Sequence, residues 1–265
     1  VDIILNEKEI VIKSVNGPEN CIIDGGTFGF KNYIAKPDSG SSSLSDNTSR
    51  CISIIEGFTI KNCQKGFSFS GQNVTPTIKN NIIKNCHHAI FCTEGASATF
   101  MSNEISNNST PVQDTQTGTI FLKNSKSYLY DNKIFDNESS GNQTGVIYCG
   151  PEDQSVIQRN AIYNNQRCAI FVNGIDNNAT IIQNVLKGNS IGIPKTTSIE
   201  FDHYNRPYQQ ILEMNYLGTI TICNNSKASI MNNFFFDNIS VNASGIYCDE
   251  HSSSEILNNT LIKNY

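Results

Sequence analysis

The stretch from Pro194 to Leu217 concentrates Glu200, Asp202, His203, Tyr204, Arg206, Tyr208 and Glu213. Carboxylates, an imidazole and a guanidinium within one loop can bind Ca²⁺ through oxygen ligands, or carry acid–base chemistry on an acidic sugar. Asp202, His203, Arg206 and Glu213 are therefore the candidate catalytic residues. Ca²⁺ is the implied cofactor if the chemistry is that of a lyase, and otherwise none is expected. The competing reading is an ordinary solvated loop, folded against its support by Tyr204, Tyr208, Ile211 and Leu212. His87 and His88 do not add a metal site. Neighbouring side chains on an extended segment point to opposite faces, and this pair reads as a corner facing solvent.

A second kind of chemistry is modification. Asn-x-Ser/Thr sequons are frequent, and Asn47, Asn73, Asn142, Asn178 and Asn242 fall in loops or corners where an N-linked glycan stands clear. Asn108, Asn137 and Asn238 are also sequon residues, but their spacing commits them to another role.

That role is a repeat. An Asn, an apolar residue two places on and a second Asn three places later recur as Asn80, Ile82, Asn85; Asn103, Ile105, Asn108; Asn132, Ile134, Asn137; Asn160, Ile162, Asn165; and Asn184, Leu186, Asn189. The skeleton returns as Asn233, Phe235, Asn238 and as Asn259, Leu261, Asn264. The period is roughly 23 to 29 residues, in the solenoid range, and the doubled gap before Asn233 holds the insertion. Each Asn pair is followed by a short run such as Ala89-Ile90-Phe91-Cys92 or Val146-Ile147-Tyr148-Cys149, and preceded by one such as Ser155-Val156-Ile157. These β-branched and aromatic runs, bounded by Gly, Asn and Ser, read as strands. Three short strands per turn make an all-β, single-stranded right-handed parallel β-helix of about nine coils. Coils about 4.8 Å apart would stack each repeated Asn into a hydrogen-bonded ladder.

The same alignment sorts the nine cysteines. Cys92, Cys149 and Cys248 share a column with Leu122, Val172 and Ile222, so they read as buried core thiols. Coils two apart are about 9.6 Å distant, too far for a bridge. Cys63 and Cys86 each follow the second Asn of adjacent repeats, which places them within disulfide range. Cys21, Cys51, Cys168 and Cys223 have no partner that sequence identifies, and no Cys/His spacing marks a metal site.

Composition bounds the partners. A net charge of −5 without a basic run argues against nucleic acid. No apolar stretch reaches membrane-spanning length. One domain covers residues 1–265, with loop excursions at 36–50 and 109–117 and the insertion at 194–217.

The sequence Gly17-Pro18-Glu19-Asn20-Cys21-Ile22-Ile23-Asp24-Gly25-Gly26, with Glu56-Gly57-Phe58-Thr59-Ile60-Lys61-Asn62-Cys63, resembles the opening of right-handed parallel β-helix proteins of the pectate-lyase-like superfamily. In this reading Asp24-Gly25 aligns with Glu56-Gly57. The repeats are similar to those of polymorphic surface proteins. The resemblance covers nearly the whole chain and implies fold far more than function. As a class it implies a polysaccharide lyase or glycoside hydrolase. However, the clustered Asp, Arg or Lys patterns of pectate lyases are absent, as are the paired-Asp, Gly-His-Gly and Arg-x-Lys motifs of polygalacturonases.

The chain opens strand-like at Val1-Asp2-Ile3-Ile4-Leu5 and stops within a repeat at Leu261–Tyr265. The expectation is a segment of a longer solenoid, or ends that pair with neighbouring copies. The favoured function is a secreted or cell-surface structural or adhesive protein, a filament or stalk subunit assembling end to end. The alternatives are a polysaccharide-active enzyme and a non-catalytic glycan-binding module. The latter would use exposed Asn and Tyr side chains; the pattern leaves Tyr130, Tyr148, Tyr163 and Tyr247 open between surface and core.

Overall fold

The structure, a computed structural model, describes residues 3–4, 9–31, 52–111, 116–140, 143–190, 199–201, 207–209, 218–240 and 243–265. Its strands form three parallel sheets of nine strands each. Sheet A runs from Ile3–Ile4 to Ala243–Cys248, sheet B from Val11–Lys13 to Ser253–Leu257, and sheet C from Ile22–Asp24 to Thr260–Ile262. The chain visits A, B and C in turn, so each strand pairs with its counterpart one coil away. The result is a right-handed parallel solenoid without a helix among the described residues.

Alternation sets the core. Ile55, Ile78, Phe100, Leu129, Ile157, Ile181 and Ile230 form one fully buried column of sheet B. Ile60, Ile83, Ile105, Ile134, Ile162, Leu186 and Phe235 form the matching column of sheet C. Every second side chain of a strand faces inward, and parallel pairing keeps equivalent residues in register.

Sheets B and C meet at a two-residue corner. Its first residue takes left-handed backbone geometry, as in Ser102 (φ 54), Asp131 (φ 56), Arg159 (φ 53) and Gln183 (φ 58). Its second residue is the ladder Asn. Nδ2 of Asn81, Asn103, Asn132, Asn160, Asn184 and Asn233 donates to Oδ1 of the next rung at 2.9–3.2 Å, ending on Asn259. A second ladder at the corner after sheet C runs through Asn108, Asn137, Asn165, Asn189, Asn238 and Asn264, with rungs of 2.9–3.1 Å. Each Oδ1 also accepts the backbone N–H of the preceding rung, as Asn160 does from Asn132 at 3.0 Å. No buried side-chain polar atom among the described residues lacks a partner.

Four sequence expectations change. The rung in the coil at 80–86 is Asn81-Ile83-Cys86, one residue beyond Asn80-Ile82-Asn85. Asn80 and Asn85 are the left-handed corner residues, both at φ 55, and Ile83 rather than Ile82 pairs with Ile105. Asp24 aligns with Lys61 in sheet C, whereas Glu56 aligns with Lys13 in sheet B, so the Asp-Gly and Glu-Gly pairs are not equivalent. Ser109–Thr110, assigned to a loop, is a strand paired with Glu138–Ser139. Cys248 keeps its core column beside Ile222 yet is exposed, because it lies in the last coil of the described chain.

Candidate functional site

Asp202, His203, Arg206 and Glu213 lie outside the described residues. The insertion that carries them contains an antiparallel pair, Ile199–Phe201 with Pro207–Gln209. Asn47, Asn142 and Asn242 also lie outside the described residues. Asn73 and Asn178 are described and exposed: Asn73 lies on the corner between sheets A and B, whereas Asn178, expected in a loop or corner, is the first residue of the sheet-B strand Asn178–Ile182.

That corner carries the candidate site. Each coil turns there through a left-handed residue: Glu94 (φ 57), Asn124 (φ 46), Glu152 (φ 61) and Asp176 (φ 58). The following residue but one or the next turns inward, as Ala96, Ser125, Asp153 and Asn177 do. The outward residues of five successive coils then line a groove of about 740 Å³ along the solenoid axis. Gln72, Asn73 and Thr75 stand at one end and Glu152, Gln154 and Asp176 at the other, with Ser97, Asn124 and Lys126 between. Gly95 keeps the floor open. A Cβ there would lie 2.8 Å from Gln72 Cγ, and its φ of +88 is strained for any other residue. Amides and hydroxyls both donate and accept, and stacking repeats them at the coil spacing of about 4.8 Å. Such a surface suits an extended, polyhydroxylated ligand. Among the described residues no cluster of His, Cys, Asp or Glu could hold a metal ion.

Directly beneath the groove, Asp153 is fully buried. Its Oδ1 accepts from Ser155 Oγ at 2.8 Å and its Oδ2 from Ser155 N at 3.2 Å. The Cys149 thiol lies beside it. Burial pushes this carboxyl up to about 7, against the opposing effect of the Ser155 hydrogen bonds. Burial likewise raises the Cys149 thiol well above its usual range, and the Asp153 charge adds to that.

The outer face of sheet A holds an aromatic stack. Phe91 and Phe121 are 4.7 Å apart, Phe121 and Tyr148 5.4 Å, and Tyr148 and Phe171 6.1 Å, all near parallel. Tyr148 and Phe171 are 2% and 1% exposed despite pointing away from the core. Tyr148 is thus a buried residue of the outer face, its hydroxyl accepting from Asn173 Nδ2 at 2.7 Å. Tyr130, Tyr163 and Tyr247 are half-buried. His88, expected at the surface, is buried against this stack, with Nδ1 2.9 Å from the Gly118 carbonyl and its ring 5.4 Å from Phe91. His87 is exposed, so the pair does point to opposite faces.

Cys63 and Cys86 are buried free thiols on the first two positions of the second ladder. Cys86 N donates to Asn108 Oδ1 at 2.9 Å, as a rung does. Cys92 and Cys149 are buried in the core as expected.

Sequence reasoning missed Glu152, Asp176, Lys126 and Asp153. Their coils differ in composition at the corner between A and B, so no repeated residue type drew attention to the column. The available signal was positional: each lies a few residues after the Cys92, Leu122, Cys149, Val172 column.

Comparison with protein families matches the one described as right handed beta helix region to residues 44–206, more than half of the chain. No curated protein and no solved structure matches.

Proposed function

The chain belongs to the right-handed β-helix family, and from that premise we propose that it is a secreted or cell-surface structural or adhesive scaffold. In this role its coils continue by head-to-tail stacking on a second copy or on an adjoining solenoid segment. The observation that carries the reading is the one-way polarity of both ladders. In each ladder the rung N–H and Nδ2 donate to the Oδ1 of the following coil's Asn, from Asn81 to Asn259 and from Asn108 to Asn264, while Nδ2 also donates to a backbone carbonyl of the preceding coil, as Asn160 does to Leu129 O. The Asn-to-Asn bonds therefore all run one way along the axis. Stacked copies would have to keep that direction, and a head-to-tail contact that does not close builds an open filament rather than a dimer. Ile256 and Leu261 continue the columns that are fully buried at Ile230 and Phe235.

Electron microscopy of concentrated, untagged protein tests this. Filaments of uniform polarity are expected, and Ile256→Lys or Leu261→Lys should disperse them while leaving the circular dichroism unchanged. Discrete rods at every concentration would overturn the assembly. The secreted location draws support from the exposed sequons at Asn73 and Asn178. An endoglycosidase mobility shift on protein from its native source checks it.

The groove favours a second reading, a non-catalytic glycan-binding surface. Calorimetric titration with neutral oligosaccharides should give binding that Lys126→Ala and Gln154→Ala weaken. Absence of heat across the panel would remove this reading and leave the scaffold untouched.

A further inference from the structure

We propose that Cys63 and Cys86 are a thiol–disulfide couple that clamps two neighbouring coils where the second ladder begins. Ladder positions put equivalent side chains of adjacent coils against each other. At the Asn rungs that contact is a direct bond of 2.9–3.1 Å. The strands leading to the two cysteines, Thr59–Lys61 and Ile82–Lys84, are paired residue for residue, Ile60 with Ile83 and Lys61 with Lys84. Beyond them His87 N donates to Cys63 O at 2.9 Å, so the backbones stay in register on both sides of the pair. Parallel neighbours of this kind lie about one strand spacing apart, inside the Cα range that a disulfide spans.

The two thiols hold equivalent positions on adjacent coils and are only 3% and 1% exposed. Each donates to a carbonyl of its own strand, Cys63 to Lys61 O at 3.1 Å and Cys86 to Lys84 O at 3.4 Å. Cys63, the slightly less enclosed of the two, is the first nucleophile as its thiolate, and Cys86 the thiol that follows it.

The oxidant is a low-molecular-weight disulfide. The Cys63 thiolate attacks one of its sulfurs, the S–S bond breaks, and one small thiolate leaves and takes a proton. Cys86, losing its proton, then attacks the Cys63 sulfur of the mixed disulfide and expels the second small thiol. Two protein thiols and one small disulfide become one protein disulfide and two small thiols, so atoms and electrons balance. No other pair among the described cysteines shares neighbouring positions of a column. Cys92 and Cys149 are separated by the coil of Leu122.

The test is incubation of the whole protein with oxidised glutathione or with dithiothreitol, followed by denaturation, alkylation and peptide mass spectrometry. The oxidised sample should contain one linked species joining the Cys63 and Cys86 peptides, lighter by two hydrogens than the reduced pair. Its melting temperature should exceed that of the reduced sample. The double variant Cys63→Asn/Cys86→Asn, which extends the ladder chemistry, should fold and lose the redox-dependent shift. Full alkylation of both cysteines after oxidation would overturn the proposal. So would glutathione retained on Cys63 without a link, or a redox shift that persists in the double variant.

Discussion

Asp153 Oδ1 takes a 2.8 Å hydrogen bond from Ser155 Oγ at a position with no solvent exposure, and none of its partners carries positive charge. The titratable groups facing it are Cys149 on its own coil and Cys92 two coils away. Equivalent positions on other coils are neutral: Ala96, Ser125 and Asn177. A carboxyl so placed resists ionisation, because its charge would be desolvated without a counter-ion.

The folded-state pKa of about 7 lies above the unfolded 3.8, so the native state holds the proton more tightly. The stabilisation is complete below the unfolded value and is lost as pH rises to about 7, with little change above. The upper limit of that loss is on the order of 4 kcal/mol. Asp153→Asn should flatten this dependence, becoming the more stable protein at pH above 7. Melts of both proteins from acid to mild alkali measure it, and parallel curves would refute it.

Asn160 makes five side-chain bonds, to Asn132 N, Asn132 Nδ2, Leu129 O, Gln158 O and Asn184 Oδ1. Asn160→Ala leaves buried partners unmatched and should cost about 3 kcal/mol or more. Asn107→Gly, at a left-handed corner with φ 53, should be close to neutral. Urea unfolding of the two variants separates ladder bonding from corner geometry.

Gly145 has no room for a side chain. A Cβ would lie 2.7 Å from Phe171 Cβ and 2.9 Å from Phe171 N. Gly145→Ala must displace the aromatic stack or the strand, at a cost of about 1–3 kcal/mol. A lowered melting temperature with a changed near-ultraviolet circular dichroism spectrum is expected.

Thiol reactivity should follow burial. Burial pushes the Cys92 and Cys168 thiols up to about 12, and both are fully enclosed. Alkylation of the native protein should leave Cys92 and Cys168 unmodified until unfolding. Early labelling of Cys92 would show that the core opens locally.

The spacing of Asn, an apolar residue and Asn, repeated at the period of one coil, was by itself enough to establish the solenoid, its strands and its ladders. Local spacing suffices there because each coil repeats the same two corners, and stacking converts a sequence period into a column. Where the pattern is degenerate, only the tertiary structure decided. Asn80-Asn81 and Ile82-Ile83 fit either frame, and the pairing of Ile83 with Ile105 selected one, since a one-residue slip would turn the core face outward. The burial of His88, the enclosure of the Asp153 carboxyl and the convergence of Lys126, Glu152 and Asp176 on one groove depend on what neighbouring coils place beside each residue. Those neighbours stand a full coil away along the chain, so contact between coils, rather than order within one, settles what each side chain meets.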